Sequence, residues 1–258
     1  MPNNNLFDLT GRSALVTGGS KGLGKAMARG FAEAGADVMI SSRHEDELKA
    51  AAAEIGEGLD VRVEYRVADM SDRDQQTELA TEAEKTLGKI DILVNNAGSN
   101  SPQTLEETTD EGWDKIVELN LSSCVRLSRS LIEGMKQRKW GRIIYTSSIM
   151  GLAGNPGRGV YCATKAALIG MVRAHALELG PYNITVNTLA PGPIMTDLPM
   201  SLLSDEQKKA FASRPALGRW GQPRELAGPA VLLASEAGSY ITGATIVVDG
   251  GTLCRTFW

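Results

Sequence analysis

Ala14-Leu15-Val16-Thr17-Gly18-Gly19-Ser20-Lys21-Gly22-Leu23-Gly24 decides how the rest of this chain is read. Ala14 to Thr17 has the composition of a buried strand, and Leu23 to Ala34 reads as a helix closed by Gly35. Between them, Gly18, Gly22 and Gly24 let the backbone turn sharply and bring a ligand close to main-chain N–H groups. The helix start adds unpaired donors and the positive end of its dipole, a setting that suits a phosphate.

Outward from that turn, short apolar or β-branched runs alternate with longer helical patterns. Val38–Ser41, Val61–Val67, Ile90–Val94, Arg142–Thr146, Ile184–Leu189 and Thr245–Val248 read as strands. Glu45–Ile55, Asp72–Leu87, Thr109–Arg138, Val160–Leu179 and Arg224–Ala234 read as helices. Near-continuously apolar strands, each followed by a helix, predict a parallel sheet covered on both faces. Pro191 to Pro223 is the one irregular stretch, with a helix start at Ser204-Asp205-Glu206-Gln207 inside it. Its place after a strand of a parallel sheet predicts one domain with a lid at about 193–222.

Two phosphate patterns compete at the glycine turn. Gly19 to Lys25 fits the first seven positions of a P-loop, but Ala26 stands where Mg²⁺ needs Ser or Thr. No strand ends in an aspartate placed to hold that metal, since Asp91 begins its strand and Asn95-Asn96 end it. A phosphotransferase is therefore disfavoured. The alternative is a dinucleotide turn, here spaced G-x-x-x-G-x-G instead of the common G-x-G-x-x-G.

Bulk properties narrow the class further. The chain has 258 residues, enough for one large α/β core, and a net charge of −4, which argues against nucleic acid or an anionic membrane as partner. No apolar run is long enough to span a bilayer. The polar start, Met1 to Asp8, is unlike a signal peptide, so the cytoplasm is the expected location. Three scattered cysteines and two histidines make neither a disulfide framework nor a metal cluster. No metal is expected.

Tyr161-Cys162-Ala163-Thr164-Lys165 is the stretch that carries chemistry. Tyr and Lys four apart share one face of a helix, and an ammonium beside a phenol favours the phenolate. A tyrosine so placed could pass a proton to or from a carbonyl or hydroxyl. Such pairs are also common on helices without any function.

Taken together, Thr17–Gly24, Ala68-Asp69, Asn95-Asn96-Ala97-Gly98, Asn120, Ser148, Tyr161-x-x-x-Lys165 and Pro191–Thr196 resemble the short-chain dehydrogenase/reductase family. The match runs from about Leu6 to Gly251. It implies a Rossmann-type, doubly wound parallel sheet of about seven strands, hydride transfer with NAD or NADP, and a homotetramer. It implies that Gly18, Ser20, Lys21, Gly22, Leu23 and Gly24 cradle the cofactor phosphates. Asp69 and Met70 would meet the adenine, Asn95, Ala97 and Gly98 would line the ribose cleft, and Pro191, Gly192, Ile194 and Thr196 would wrap the nicotinamide.

The second strand ends Ile40-Ser41-Ser42-Arg43, without the acidic residue usual in NAD enzymes of this type. Ser42, Arg43 and Lys21 could instead receive a 2′-phosphate, so NADP is favoured and NAD remains possible. Asn120, Ser148, Tyr161 and Lys165 match the family's catalytic set. Tyr161 would be the general acid or base, Lys165 would tune it and hold the ribose, and Ser148 would bond the substrate oxygen. Asn120 would hold a relay water. Ser147, if the strand continues, points away from that site. Asn155 and Arg158, with Ser148 and Tyr161, are the substrate candidates, though loop residues of this kind often face solvent.

Leu6–Gly11 and Gly218–Gly221 look most like gluconate 5-dehydrogenase and related sugar-acid members of the family. A 3-oxoacyl-carrier-protein reductase is the alternative, and a catalytically silent NADP-binding regulator the alternative from another class.

Overall fold

The computed structural model describes residues 5–196, 200 and 203–254. Among them, seven strands form one sheet: β1 (Ser13–Thr17), β2 (Asp37–Ser42), β3 (Val63–Val67), β4 (Ile92–Asn95), β5 (Gly141–Thr146), β6 (Ile184–Pro191) and β7 (Thr245–Val248). Their order is β3-β2-β1-β4-β5-β6-β7, and every neighbouring pair is parallel. This is the doubly wound α/β architecture that the alternation of strands and helices implied.

The helices that cover it are α1 (Gly22–Glu33), α2 (Glu45–Gly56), α3 (Arg73–Leu87), α4 (Asp110–Val117), α5 (Ser123–Arg138), α6 (Gly159–Leu179), α7 (Asp205–Ala212) and α8 (Ala227–Ala234). On one face Met27, Phe31, Leu48, Ile55, Leu226 and Leu233 pack against Val16, Ile40, Val94 and Ile144. On the other, Leu79, Leu127, Leu131, Leu168 and Val172 pack against Leu15, Leu93, Ile143 and Val186. Central strands are apolar throughout because both faces are buried. β3 is one of the two edge strands and carries Glu64 and Arg66 exposed.

Polar side chains trim two strands relative to the sequence expectation. Asp37 takes the Arg62 N–H on Oδ1 at 2.9 Å and the Arg62 guanidinium on Oδ2, so the ladder of β3 starts at Val63 rather than Val61. Asp91, buried, accepts from Ser13 N–H and pairs with Lys89 at 2.8 Å, so β4 starts at Ile92.

The expected long helix over Thr109–Arg138 exists but is not uniform. Glu118–Ser122 forms a π turn, in which the Ser123 N–H reaches back five residues to the Glu118 carbonyl. The extra residue widens the helix there, and Asn120 sits at its middle, fully buried. The expected helix start at Ser204 is a capping box with Gln207. Residues 197–199 and 201–202 of the expected lid lie outside the described residues.

The order in which strands are added reverses between β1 and β4, two parallel neighbours whose carboxyl ends lie side by side. In an open parallel sheet, ligands bind in the crevice at that reversal. The glycine turn leaves β1 there and Asn95–Gly98 leaves β4.

Candidate active site

The turn at the end of β1 is shaped by backbone that only glycine tolerates. Gly18 and Gly22 have φ of 64° and 54°. A Cβ on Gly24 would lie 2.2 Å from the Gly18 carbonyl oxygen, so α1 can approach the strand only without one. Lys21 caps α1 without a side-chain bond to its first amides, which leaves those N–H groups pointing into the turn as a place for an anion. Thr17 and Asn96 tie the turn to β4. Thr17 Oγ1 accepts from the backbone N–H of Asn96 and of Ala97, both at 3.0 Å, and Asn96 Nδ2 donates to the carbonyls of Thr17 and Gly18.

The end of β2 lies beside this turn, since Gly19 N–H donates to the Ser41 carbonyl. Ser41 Oγ and Ser42 Oγ are shielded from solvent without a hydrogen-bond partner, and Arg43 is exposed. Lys21 Nζ pairs with Glu47 at 2.6 Å, and this bond holds the Glu47 carboxyl below its ordinary range. A 2′-phosphate at Lys21 would thus share the ammonium with Glu47. Two expected adenine contacts are constrained. Asp69 folds onto the N–H and hydroxyl of Ser71, and the Met70 side chain is buried against α3, so the backbone of Met70 is what it can offer a base.

The four residues expected to be catalytic come together at the carboxyl edge next to the turn. α6 carries Tyr161 and Lys165 on one face, with Lys165 Nζ 5.5 Å from the Tyr161 ring centre. Lys165 is buried, and its ammonium donates to the Thr146 carbonyl at 2.8 Å. A lysine ammonium has three donors, so this bond leaves others for a ligand. Ser147 Oγ donates to the Lys165 carbonyl at 2.8 Å. Ser148 Oγ accepts from the Met150 N–H at 3.1 Å, a geometry that keeps its own proton for a further acceptor. Asn120 Oδ1 accepts from Ser99 N–H, and its Nδ2 donates to the Ser99 carbonyl and to Thr164 Oγ1. A Cβ on Gly98 would stand 3.1 Å from Asn120 Oδ1 and 3.5 Å from Lys165 Nζ.

The loop after β4 then crosses toward the turn before α6, where Gln103 N–H donates to the Gly157 carbonyl at 3.0 Å. That turn holds Asn155 and Arg158, both half-buried. Beyond β6, Gly192 presses on Asp249, where a Cβ would come within 2.5 Å. Ile194 is buried and pairs with Gly221, and the Thr196 methyl approaches the Gly22 position within 3.1 Å of where a Cβ would be. The segment after β6 therefore touches the glycine turn. A groove of about 560 Å³ between α1, α2 and residues 222–227 involves none of these residues.

The hydrogen-bonding roles of Thr17, Ser99 and Thr146 were not among the sequence expectations. Their partners are remote in sequence, and a lone Ser or Thr gives no spacing signal.

A parallel doubly wound sheet with a glycine-turn phosphate cradle and a Tyr-x-x-x-Lys helix defines an NAD(P)-dependent oxidoreductase. A family model described as enoyl-(acyl carrier protein) reductase matches residues 18–252. Nodulation protein G of Rhizobium sp. (strain N33) is 42% identical over 249 residues, spanning 95% of this chain and 98% of that protein. The 3-oxoacyl-[acyl-carrier-protein] reductase of Rickettsia conorii is 40% identical over 248 residues, spanning 96% and 99%. A Beutenbergia cavernae protein described as an NAD(P)-dependent gluconate 5-dehydrogenase, solved with NADP at low occupancy, superposes with a TM-score of 0.92 at 37% identity, covering 97% of this chain and all of that one (100%). The chain belongs to the short-chain dehydrogenase/reductase family.

Proposed function

We propose that this protein interconverts a secondary alcohol and a ketone with NADP(H), using Asn120, Ser148, Tyr161 and Lys165. The observation that carries the reading is Lys165. Its buried ammonium lies beside the Tyr161 ring at the carboxyl edge, next to the glycine turn. When bound, the nicotinamide supplies or accepts the hydride. Tyr161 gives a proton to the carbonyl oxygen in reduction and takes one from the alcohol in oxidation. Lys165 sets its ammonium beside the Tyr161 ring and would hold the ribose hydroxyls with its remaining donors. Ser148 donates a hydrogen bond to the substrate oxygen and fixes its position between Ser148 and Tyr161. After reduction the Tyr161 phenolate regains its proton from the Lys165 ammonium, which is recharged from the water that Asn120 holds, while the Asn120 amide braces Ser99.

The orphan hydroxyl of Ser42 and the cations Lys21 and Arg43 support NADP over NAD. The fit agrees with the NADP bound to the Beutenbergia relative. The preferred substrate is a sugar acid or polyol, supported by the half-buried polar pair Asn155 and Arg158 ahead of Tyr161. Reduction of a 3-oxoacyl thioester is a second reading, favoured by the Rickettsia reductase at 40% identity. Residues 193–222 act as a lid over the substrate. The protein works as a homotetramer in the cytoplasm, and Leu105, Trp113 and Val125 expose apolar surface around α4 and α5 that a subunit contact would cover.

Titration of NADPH fluorescence, then turnover assays with 5-ketogluconate, polyols and acetoacetyl thioesters, tests this reading. NADPH binding and turnover of one class are expected. Tyr161→Phe should then lower kcat by about 10²- to 10⁴-fold without changing NADPH affinity. Binding with no turnover of any carbonyl or alcohol would make the protein a nucleotide-binding regulator instead.

A further inference from the structure

β5 ends in a threonine whose hydroxyl has no partner. Thr146 is 6% exposed, and its Oγ1 is shielded from solvent without a hydrogen bond. Its neighbours differ: Ser147 Oγ bonds the Lys165 carbonyl, and Ser148 Oγ accepts from Met150. A buried hydroxyl without a partner costs stability, and an isosteric valine removes that cost. The hydroxyl is thus a liability in the protein alone.

Its location says what could complete it. Ile144, two residues earlier, packs in the core shared with α1 and α8, and strand alternation puts Thr146 on that same face. Thr146 is in register with Leu189 of β6. On its other side, beyond the Asn95–Tyr145 pair, comes Asn96, which bonds the carbonyls of Thr17 and Gly18. Ile194 joins the same core, and Thr196 approaches Gly22. The Thr146 carbonyl itself holds the Lys165 ammonium at 2.8 Å. The orphan hydroxyl therefore lies where the glycine turn, the start of the 193–222 segment and Lys165 meet.

We propose that Thr146 is a further cofactor-positioning residue, its hydroxyl hydrogen-bonding the nicotinamide–ribose half of NADP(H). The proposal rests on the functional reading above. The adenine side is met by β2 and the glycine turn, so the two halves of the cofactor can be probed separately.

The test uses the full-length protein and its Thr146→Val and Thr146→Ser variants, with three readouts. These are the Kd for NADPH, the Kd for 2′,5′-ADP (which lacks nicotinamide), and the thermal midpoint without nucleotide. Thr146→Val should raise the NADPH Kd about five- to tenfold, the loss of one neutral hydrogen bond. It should leave the 2′,5′-ADP Kd unchanged and the midpoint equal or higher, while Thr146→Ser restores NADPH affinity. Unchanged NADPH affinity in Thr146→Val, or equal weakening of both ligands, would overturn the proposal. A wild-type protein that binds neither NADPH nor NADH would remove the functional reading, and Thr146's role with it.

Discussion

Asn120 grips Ser99 by both of its backbone groups: Oδ1 accepts from the Ser99 N–H at 2.9 Å and Nδ2 donates to the Ser99 carbonyl at 2.8 Å. The π turn brings the amide into that position, and Thr164 takes its third bond. The loop that leads from β4 past Lys165 is thus fixed by a side chain from the helix across the cleft. Asn120→Ala removes three hydrogen bonds at a fully buried site and leaves both Ser99 groups short of a partner. The expected cost is about 2–3 kcal/mol, a fall in Tm of roughly 4–10 °C. Turnover should fall in the same variant. Calorimetry showing an unchanged Tm would mean that Ser99 finds water instead.

Gly24 is where a methyl group meets backbone on the far side of the turn. Its Cβ would stand 2.2 Å from the Gly18 carbonyl oxygen and 2.6 Å from Asn96 Nδ2. Backbone cannot step aside as a flexible side chain can. Gly24→Ala should therefore displace the start of α1 and weaken NADPH binding by more than about tenfold. Gly58→Ala provides the contrast: its φ is 74°, but nothing lies near the added methyl. It should cost about 1 kcal/mol of stability through the left-handed backbone alone, with nucleotide affinity intact. Equal affinities for the two variants would detach the glycine turn from cofactor binding.

The parts legible in the sequence were those whose signal is local. Strand composition, the glycine spacing and Tyr161 four residues before Lys165 each lie within one element, and all the expected strands and helices are present. The π turn was hidden because Glu118-Leu119-Asn120-Leu121-Ser122 has ordinary helical character, and its register depends on what Asn120 meets across the cleft. Thr17 was hidden for a similar reason: its partners Asn96 and Ala97 are 79 and 80 residues away. The starts of β3 and β4 slipped inward because the carboxylates of Asp37 and Asp91 draw nearby N–H groups and cations to themselves. Apolar Val61 and Ile90 gave no sign of that.

The proposed preference for NADP rests on Lys21, Arg43 and Glu47 together. Arg43→Asp places a carboxylate beside the Ser42 hydroxyl, which repels a 2′-phosphate and accepts from ribose hydroxyls. The KM for NADP should rise more than about tenfold, and that for NAD should hold or fall. Glu47→Gln removes the negative charge that competes with the phosphate for the Lys21 ammonium, so the KM for NADP should drop several-fold. Steady-state kinetics with both nucleotides reads both variants. Parallel changes for NADP and NAD in Arg43→Asp would show that Arg43 does not meet the 2′-phosphate.

Arg219 and Glu225 staple the far end of the segment that follows β6. The Glu225 carboxylate takes both guanidinium nitrogens of Arg219 at 2.7 and 2.8 Å and the Gln222 N–H at 2.7 Å. Arg219, then Gln222, hold the Glu225 carboxyl down at about 2. Arg219 also bonds the Trp220 carbonyl, while Trp220 Nε1 reaches the Lys208 carbonyl on α7 and its ring stacks on Phe211. Gly221 in turn exchanges hydrogen bonds with Pro193 and Met195. A carboxyl whose folded value is depressed stabilises above its unfolded value, about 4.3, and that support is lost as pH falls toward 2. The pair is exposed, so salt weakens it at neutral pH. Glu225→Gln should speed amide hydrogen exchange in residues 205–221 at pH 7 while leaving the global Tm nearly unchanged. Wild type in 1 M NaCl should move toward the same pattern. Identical exchange in the two proteins at low salt would show that Trp220 and its stack hold this segment without the ion pair.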